Sequence, residues 1–263
     1  MRKIVLITLC LYALLTMATL NYSTKETKET TKKMATKSFE SNPFVVVELF
    51  TSQGCSSCPP ADEILNKMKF QTLSGLRDLS KKDNIFPLSF HVTYWNRLGW
   101  KDSFSQMIFD ERQYEYGSRF ALNGVYTPQV VINGKAEMVG SHGQKIEKMI
   151  AEKLVESTTF SIILSKKIKD KFLIINYKIS KSAKDYDFNV ALVESGISTK
   201  IQRGENQGKT LKHDNVVRYF KMIKMTQNTE GPLELPFLPT EKQAVIVYLQ
   251  EPNLGAIVAA TKL

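Results

Sequence analysis

Two cysteines three residues apart stand in the string Thr51-Ser52-Gln53-Gly54-Cys55-Ser56-Ser57-Cys58-Pro59-Pro60. This spacing lets both sulfurs meet in a small ring. It suits thiol–disulfide exchange, in which a thiolate attacks a disulfide sulfur. The run before it, residues 44–50, is apolar and β-branched and too short for a helix, so it is expected to be a buried strand. After it, two prolines fit a helix's first turn, where a missing N–H costs nothing. Ile64, Leu65, Met68 and Phe70 then fall near one helical face. The pair is thus expected at a strand-to-helix junction. There, unpaired N–H groups and the positive end of the helix dipole favour a thiolate on Cys55, the expected nucleophile. Cys58, one turn on, would resolve the mixed disulfide. A bridge closing so short a loop removes little chain entropy, which tilts the reading from a structural staple toward redox chemistry.

The elements that must position this pair follow along the chain. Residues 85–95 alternate as a second strand, 102–120 are expected as a helix, and 124–132 as a turn and strand containing Thr127-Pro128. Asn133-Gly134 is a hairpin turn leading to a strand at 136–139, and 144–155 is a helix with Ile146, Met149, Ile150 and Leu154 on one side. Beyond Ser157 the period becomes two. Strands are expected at 159–166, 172–180, 188–194, 216–222, 244–250 and 256–261, which suggests an antiparallel β-sandwich at 158–263.

Strand, Cys-x-x-Cys, helix and a later X-Pro at the head of an antiparallel hairpin resembles the thioredoxin superfamily, over residues 43–155. The wider string from Val47 to Asp62 is similar to one exported bacterial family with a thioredoxin-like domain, catalogued as a domain of unknown function. Three further segments match it: His91-Val92-Thr93-Tyr94-Trp95-Asn96-Arg97-Leu98-Gly99-Trp100-Lys101-Asp102, Val125-Tyr126-Thr127-Pro128-Gln129, and Arg203-Gly204-Glu205-Asn206. The last extends the likeness into the strand-rich half. The family carries acidic residues where this chain has Thr93 and Asn96. The resemblance implies an α/β thioredoxin-like domain at 43–157, followed by the β-sandwich. It makes Glu48 the buried acid that shuttles the Cys58 proton. It also makes Thr127-Pro128 a cis bond whose Thr127 backbone faces Cys55 and pairs with an extended substrate strand.

Read without the family, these residues keep other meanings. Glu48, the sole charge in its strand, is either a buried carboxyl with a raised pKa, suited to proton transfer, or a solvated edge residue. Pro128 is equally an edge-strand proline. Tyr94, Trp95 and Trp100 pack in a core, or Trp95 lines a substrate groove beside Cys55. His91 reads as a satisfied inner or edge histidine, and His142 as exposed. Arg203, Glu205, Asn206 and His213 form either a polar loop against the first domain or a turn with surface charges. A metal needs three or four convergent ligands, and no resident metal or cofactor is expected.

Composition bounds the rest. The chain has 263 residues, 43% hydrophobic and 24% charged, with a formal net charge of +10, which is ordinary for a globular protein. No Arg/Lys cluster interleaves with aromatics, so nucleic acid is not an expected partner. There is no GxGxxG, Walker loop or HExxH. Met1-Arg2-Lys3 precedes an uncharged stretch, and residues 1–20 are expected as a secretory signal. That stretch is also at the short limit of a membrane span, so an uncleaved anchor is the other reading. Residues 21–42 are expected as a disordered tether. Export to the periplasm or beyond places Cys55 and Cys58 where disulfides persist. The expected function is thiol–disulfide exchange with exported proteins that carry thiols or disulfides, served by a redox partner protein. The alternatives are a binding module with a static Cys55–Cys58 bridge, or metal delivery through the pair.

Overall fold

The apolar run before the cysteines becomes β1 (Val45–Thr51), all seven residues of it buried. It is buried because strands flank it on both sides. β2 (Ile85–His91) pairs with it in parallel, Val45 opposite Ile85 and Thr51 opposite His91. β3 (Gln129–Ile132) pairs antiparallel on the other edge. A strand's side chains alternate between faces. Val45, Val47 and Leu49 therefore pack under helices α1 (Pro59–Phe70) and α3 (Gly143–Lys153). Val46 and Phe50 face the other way, toward α2 (Met107–Arg119). β4 (Ala136–Val139) completes this end through the expected hairpin, with positive φ at Asn133 and Gly134. A Cβ on Gly134 would lie 2.2 Å from the Gly255 carbonyl oxygen, so only glycine fits there.

This computed structural model describes residues 42–70 and 83–263. The expected signal or anchor (1–20) and the tether up to residue 41 lie outside the described residues.

The boundary expected at 157/158 does not interrupt the sheet. β7 (Asp187–Glu194), β10 (Val216–Lys224), β12 (Gln243–Gln250) and β13 (Ile257–Lys262) extend the same eight-stranded sheet, in the order β13-β12-β7-β10-β2-β1-β3-β4. The join is parallel, with Val216 opposite Ser89 and Ser89 N–H donating to Asn215 O at 2.8 Å. A three-stranded sheet of β5 (Ile162–Lys169), β6 (Phe172–Ile179) and β11 (Glu230–Leu235) packs on β7, β12 and β13 around Leu173, Ile175, Phe188 and Val247. The strand-rich half therefore has a stacked layer, as expected of a sandwich, but its larger layer is shared. The whole is a mixed α/β fold, one large sheet carrying a few helices. The described residues form one compact unit.

Three short strands escape a reading by alternation. β8 (Ile197–Lys200) and β9 (Thr210–His213) are polar and form a separate pair, and β11 contains Pro232. The second expected strand stops at His91, and Tyr94–Leu98 is a 3-10 turn. Asn96 and Asp102 side chains capture backbone N–H groups there: Asp102 N–H donates to Asn96 Oδ1 at 3.0 Å, and Phe104 N–H to Asp102 Oδ1 at 2.9 Å. The following helix accordingly starts at Met107.

On the α2 face of β1, Glu48 is fully buried. Its Oε1 accepts from Arg112 Nη2 at 2.8 Å, Arg112 Nε at 3.0 Å and Tyr248 OH at 2.9 Å, and its Oε2 accepts from Tyr116 OH. Arg112 also donates to Gln250 Oε1 at 2.9 Å, and its guanidinium carbon lies 5.2 Å from the ring centroids of Tyr116 and Phe220. One ion pair thus ties β1 to α2 and β12. Removing one partner of a buried pair strands the other charge, at a cost of about 3–5 kcal/mol. Arg112→Met is expected to lower stability by about that much in denaturant unfolding, with Glu48→Gln added to it restoring most of the loss. A single variant as stable as the parent contradicts this account of the core.

Candidate functional site

The loop between β1 and α1 carries the Cys55–Cys58 disulfide. Pro59 and Pro60 bring no N–H to the helix start, and the next two amides, of Ala61 and Asp62, donate to Cys58 O at 2.9 and 3.1 Å. Cys58 thus caps α1. The Thr127–Pro128 peptide is cis, and Thr127 O lies 4.0 Å from Cys55 Sγ. Ser57 Oγ is 3.3 Å from the same sulfur. Trp95 Nε1 donates to Thr127 Oγ1 at 2.8 Å, and Gly54 packs so tightly on Trp95 that an added Cβ would sit 3.1 Å from the Trp95 Cβ. Cys55, Cys58, Thr127, Pro128 and Trp95 are therefore brought together. Both cysteines are fully buried.

Glu48 is not part of this group. It leaves β1 on the face opposite α1, and both its oxygens are taken by Arg112, Tyr116 and Tyr248. A second buried acid stands on the helix itself. Asp62 stands one turn behind Cys58, on the same helical face, and is buried. Burial pushes its pKa up to about 7, against the opposing effect of the His91 charge. Sequence reasoning missed it because an Asp in a first helical turn has an ordinary explanation in the helix dipole. What buries it is distant in sequence.

That cover comes from the β8–β9 hairpin. Asn66 of α1 donates to Lys212 O at 3.2 Å and accepts from Asp214 N–H at 3.1 Å, which seats His213 between them, against α1. His213 Nδ1 lies 3.8 Å from Asp62 Oδ2. Its ring centroid is 5.0 Å from that of His91. His91 Nδ1 is 2.7 Å from Asp102 Oδ2. Burial alone would lower the His91 pKa, but the Asp102 carboxylate outweighs it and raises it, and the same pair holds Asp102 below its usual range against its own burial. His213 is pushed down to about 3 by burial and by the neighbouring His91 charge. Among the described residues, Asp62 Oδ1, His91 Nε2, His213 Nδ1 and Thr51 Oγ1 are buried without a hydrogen-bond partner.

The hairpin's connecting loop reaches the cysteines directly. Fully buried Asn206 donates from Nδ2 to Gln53 O at 3.0 Å and Cys55 O at 2.8 Å. Glu205 Oε2 accepts from Ser56 N–H at 3.0 Å, while Arg203 is exposed. Of the two readings of this segment, Glu205, Asn206 and His213 take the polar loop packed on the first half. Thr93 and Asn96 serve the neighbouring turn, Thr93 through Asp110 and Asn96 through Ser105, and His142 is exposed. Among the described residues, no three His, Cys, Asp or Glu side chains converge to hold a metal ion, and no helix is long and apolar enough to cross a membrane.

The geometry defines a mixed α/β protein with a disulfide-bonded Cys-x-x-Cys capping a helix beside a cis-proline, closed over by a loop from its strand-rich half. By its match over residues 46–250, the chain belongs to the family described as protein of unknown function, DUF1223. It is similar to the crystal structure of protein AGR_C_4864 from Agrobacterium tumefaciens. That likeness has 29% identity and a TM-score of 0.63, and covers 86% of this chain and 96% of that one. It also shares a fold with HBP35 of Porphyromonas gingivalis, at 13% identity and a TM-score of 0.59, over 86% of this chain and 76% of that one. No curated protein matches it.

Asp62 carries a stability signature. Its folded pKa of about 7 lies above the unfolded value of about 3.9. The folded state therefore binds the extra proton, and the cost of Asp62 grows as pH rises from about 4 to 7 and is complete above that. Asp62→Asn is expected to stabilise the protein at pH 8 by roughly 3–4 kcal/mol and to change little at pH 4. Unfolding midpoints at the two pH values check this, and a gain independent of pH contradicts it.

Proposed function

We propose that the chain is an exported thiol–disulfide oxidoreductase of the thioredoxin type, acting on cysteines of other exported proteins. The observation that carries this is a Cys-x-x-Cys at a helix head with a buried acid, Asp62, one turn behind Cys58. In the reduced protein, the Cys55 thiolate attacks a substrate disulfide, forms a mixed disulfide and expels one substrate thiolate. Cys58 then gives its proton to Asp62 and attacks Cys55 Sγ. This expels the second substrate thiolate and leaves the Cys55–Cys58 bond. Two electrons pass from the pair to the substrate, and the reverse sequence oxidises a substrate dithiol. A separate dithiol or disulfide protein restores the starting state. The Thr127 backbone supports the substrate strand beside Cys55, with Trp95 holding the Thr127 side chain.

The buried state of both cysteines favours a second reading, a binding module whose bridge never opens. Trapping separates the two. Cys58→Ser is expected to accumulate mixed disulfides between Cys55 and exported proteins, and Cys55→Ser/Cys58→Ser to accumulate none. Equal yields from the two variants favour the static bridge. Under the oxidoreductase reading, resolution by Cys58 speeds up as pH rises through about 7, and Asp62→Asn removes that rise. A mixed-disulfide decay that keeps its pH profile in Asp62→Asn removes Asp62 from the mechanism.

A further inference from the structure

A chain of donors fixes one proton in the buried cluster. An indole nitrogen can only donate, and Trp100 Nε1 donates to Gln53 Oε1 at 3.0 Å. The Gln53 amide nitrogen is thereby turned toward His213 Nε2, 3.4 Å away. An amide NH2 also only donates, so His213 Nε2 must be its unprotonated acceptor. The single proton of the neutral ring then sits on Nδ1, the atom that faces Asp62 Oδ2 at 3.8 Å. The rest of Gln53 is fixed as well, its N–H donating to Asp102 Oδ2 at 2.8 Å and its carbonyl accepting from Asn206.

We infer that Gln53, oriented by Trp100, is a positioning residue that locks His213 in the Nδ1–H tautomer, so that the ring presents a donor to Asp62 and favours the carboxylate that takes the Cys58 proton. The lock stands on the hydrogen bonds alone; its use in proton transfer rests on the oxidoreductase reading. The groups facing Asp62 are Thr51 from β1, His91 from β2, Asp102 from the segment before α2 and His213 from β9. His213 also meets the fields of His91, Asp102 and Asp214, and His91 that of Arg218 on β10. The neutral His213 ring can move its proton between Nδ1 and Nε2 without changing charge.

The test begins with the full wild-type chain. Nitrogen-15 spectra of its histidine rings at pH 7–8 are expected to show His213 protonated at Nδ1 and bare at Nε2. A proton on Nε2 overturns the lock. Two variants then move Asp62 in opposite directions. In Gln53→Glu the carboxylate accepts from both Trp100 and His213 Nε2, so the ring gains a second proton and Asp62 ionises more readily. Decay of the Cys55 mixed disulfide at pH 5.5 should quicken by roughly tenfold, the effect of one pH unit in the midpoint. In Trp100→Phe the amide is free to turn, Nε2–H appears in the spectrum, and decay at pH 5.5 slows. If the variants shift the decay in the same direction, or both leave it unchanged, the inference is wrong. If the wild-type chain exchanges no disulfide at any pH, the oxidoreductase reading fails, and the His213 spectrum alone decides the lock.

Discussion

A carboxylate with no exposed surface cannot stay charged in an apolar core without a partner, and that constraint organises this molecule. Glu48 lies in the middle of β1, flanked by Val47 and Leu49. It requires Arg112 from α2, and the remaining donors of Arg112 require acceptors and aromatic faces in turn. Tyr116, Tyr248, Gln250 and Phe220 supply them. Two of these lie on β12 and one on β10, so neutralising one acid in the first half of the chain draws in strands from the second. The eight-stranded sheet is the architecture that allows it.

The site inherits this arrangement. With β10 paired to β2, the β8–β9 hairpin is carried onto α1. Its loop places Asn206 and Glu205 on the backbone of Cys55 and Ser56, and its strand places His213 beside Asp62. The strand-rich half is therefore part of the cysteine site. The loop is held there by Asn206 donating to the Gln53 and Cys55 carbonyls and by Glu205 accepting from Ser56 N–H.

Much of this was legible in the sequence where the determinants are local. The buried strand before the cysteines, the prolines at the head of α1 and the Asn133-Gly134 turn follow from neighbouring residues, whereas the approach of Thr127 and Pro128 to Cys55 was implied only by the family resemblance and Trp95 was left open between a core and a groove. The failures are of another kind. Glu48 sits in a strand where a single residue decides the face, and its face turned out to oppose α1. An acid in a first helical turn, such as Asp62, carries no sign of burial in the sequence, because β9, which packs against it, is distant along the chain. His91 and His213 read singly as packed or exposed histidines, whereas their pairing depends on β2, β9 and Asp102 meeting in space. Alternation also found the long strands but could not say that β7, β10, β12 and β13 would extend the sheet of β1 and β2, because period two carries no information on a strand's neighbour.

In the proposed oxidoreductase reading, the Cys55–Cys58 bond opens and closes in service. The most direct measurement is its reduction potential, obtained by equilibrating the full chain with glutathione or dithiothreitol couples and counting free thiols. A working pair must lie within reach of cellular redox partners, so a value above about −300 mV is predicted. A value well below about −300 mV marks a bridge that resists reduction and contradicts the account.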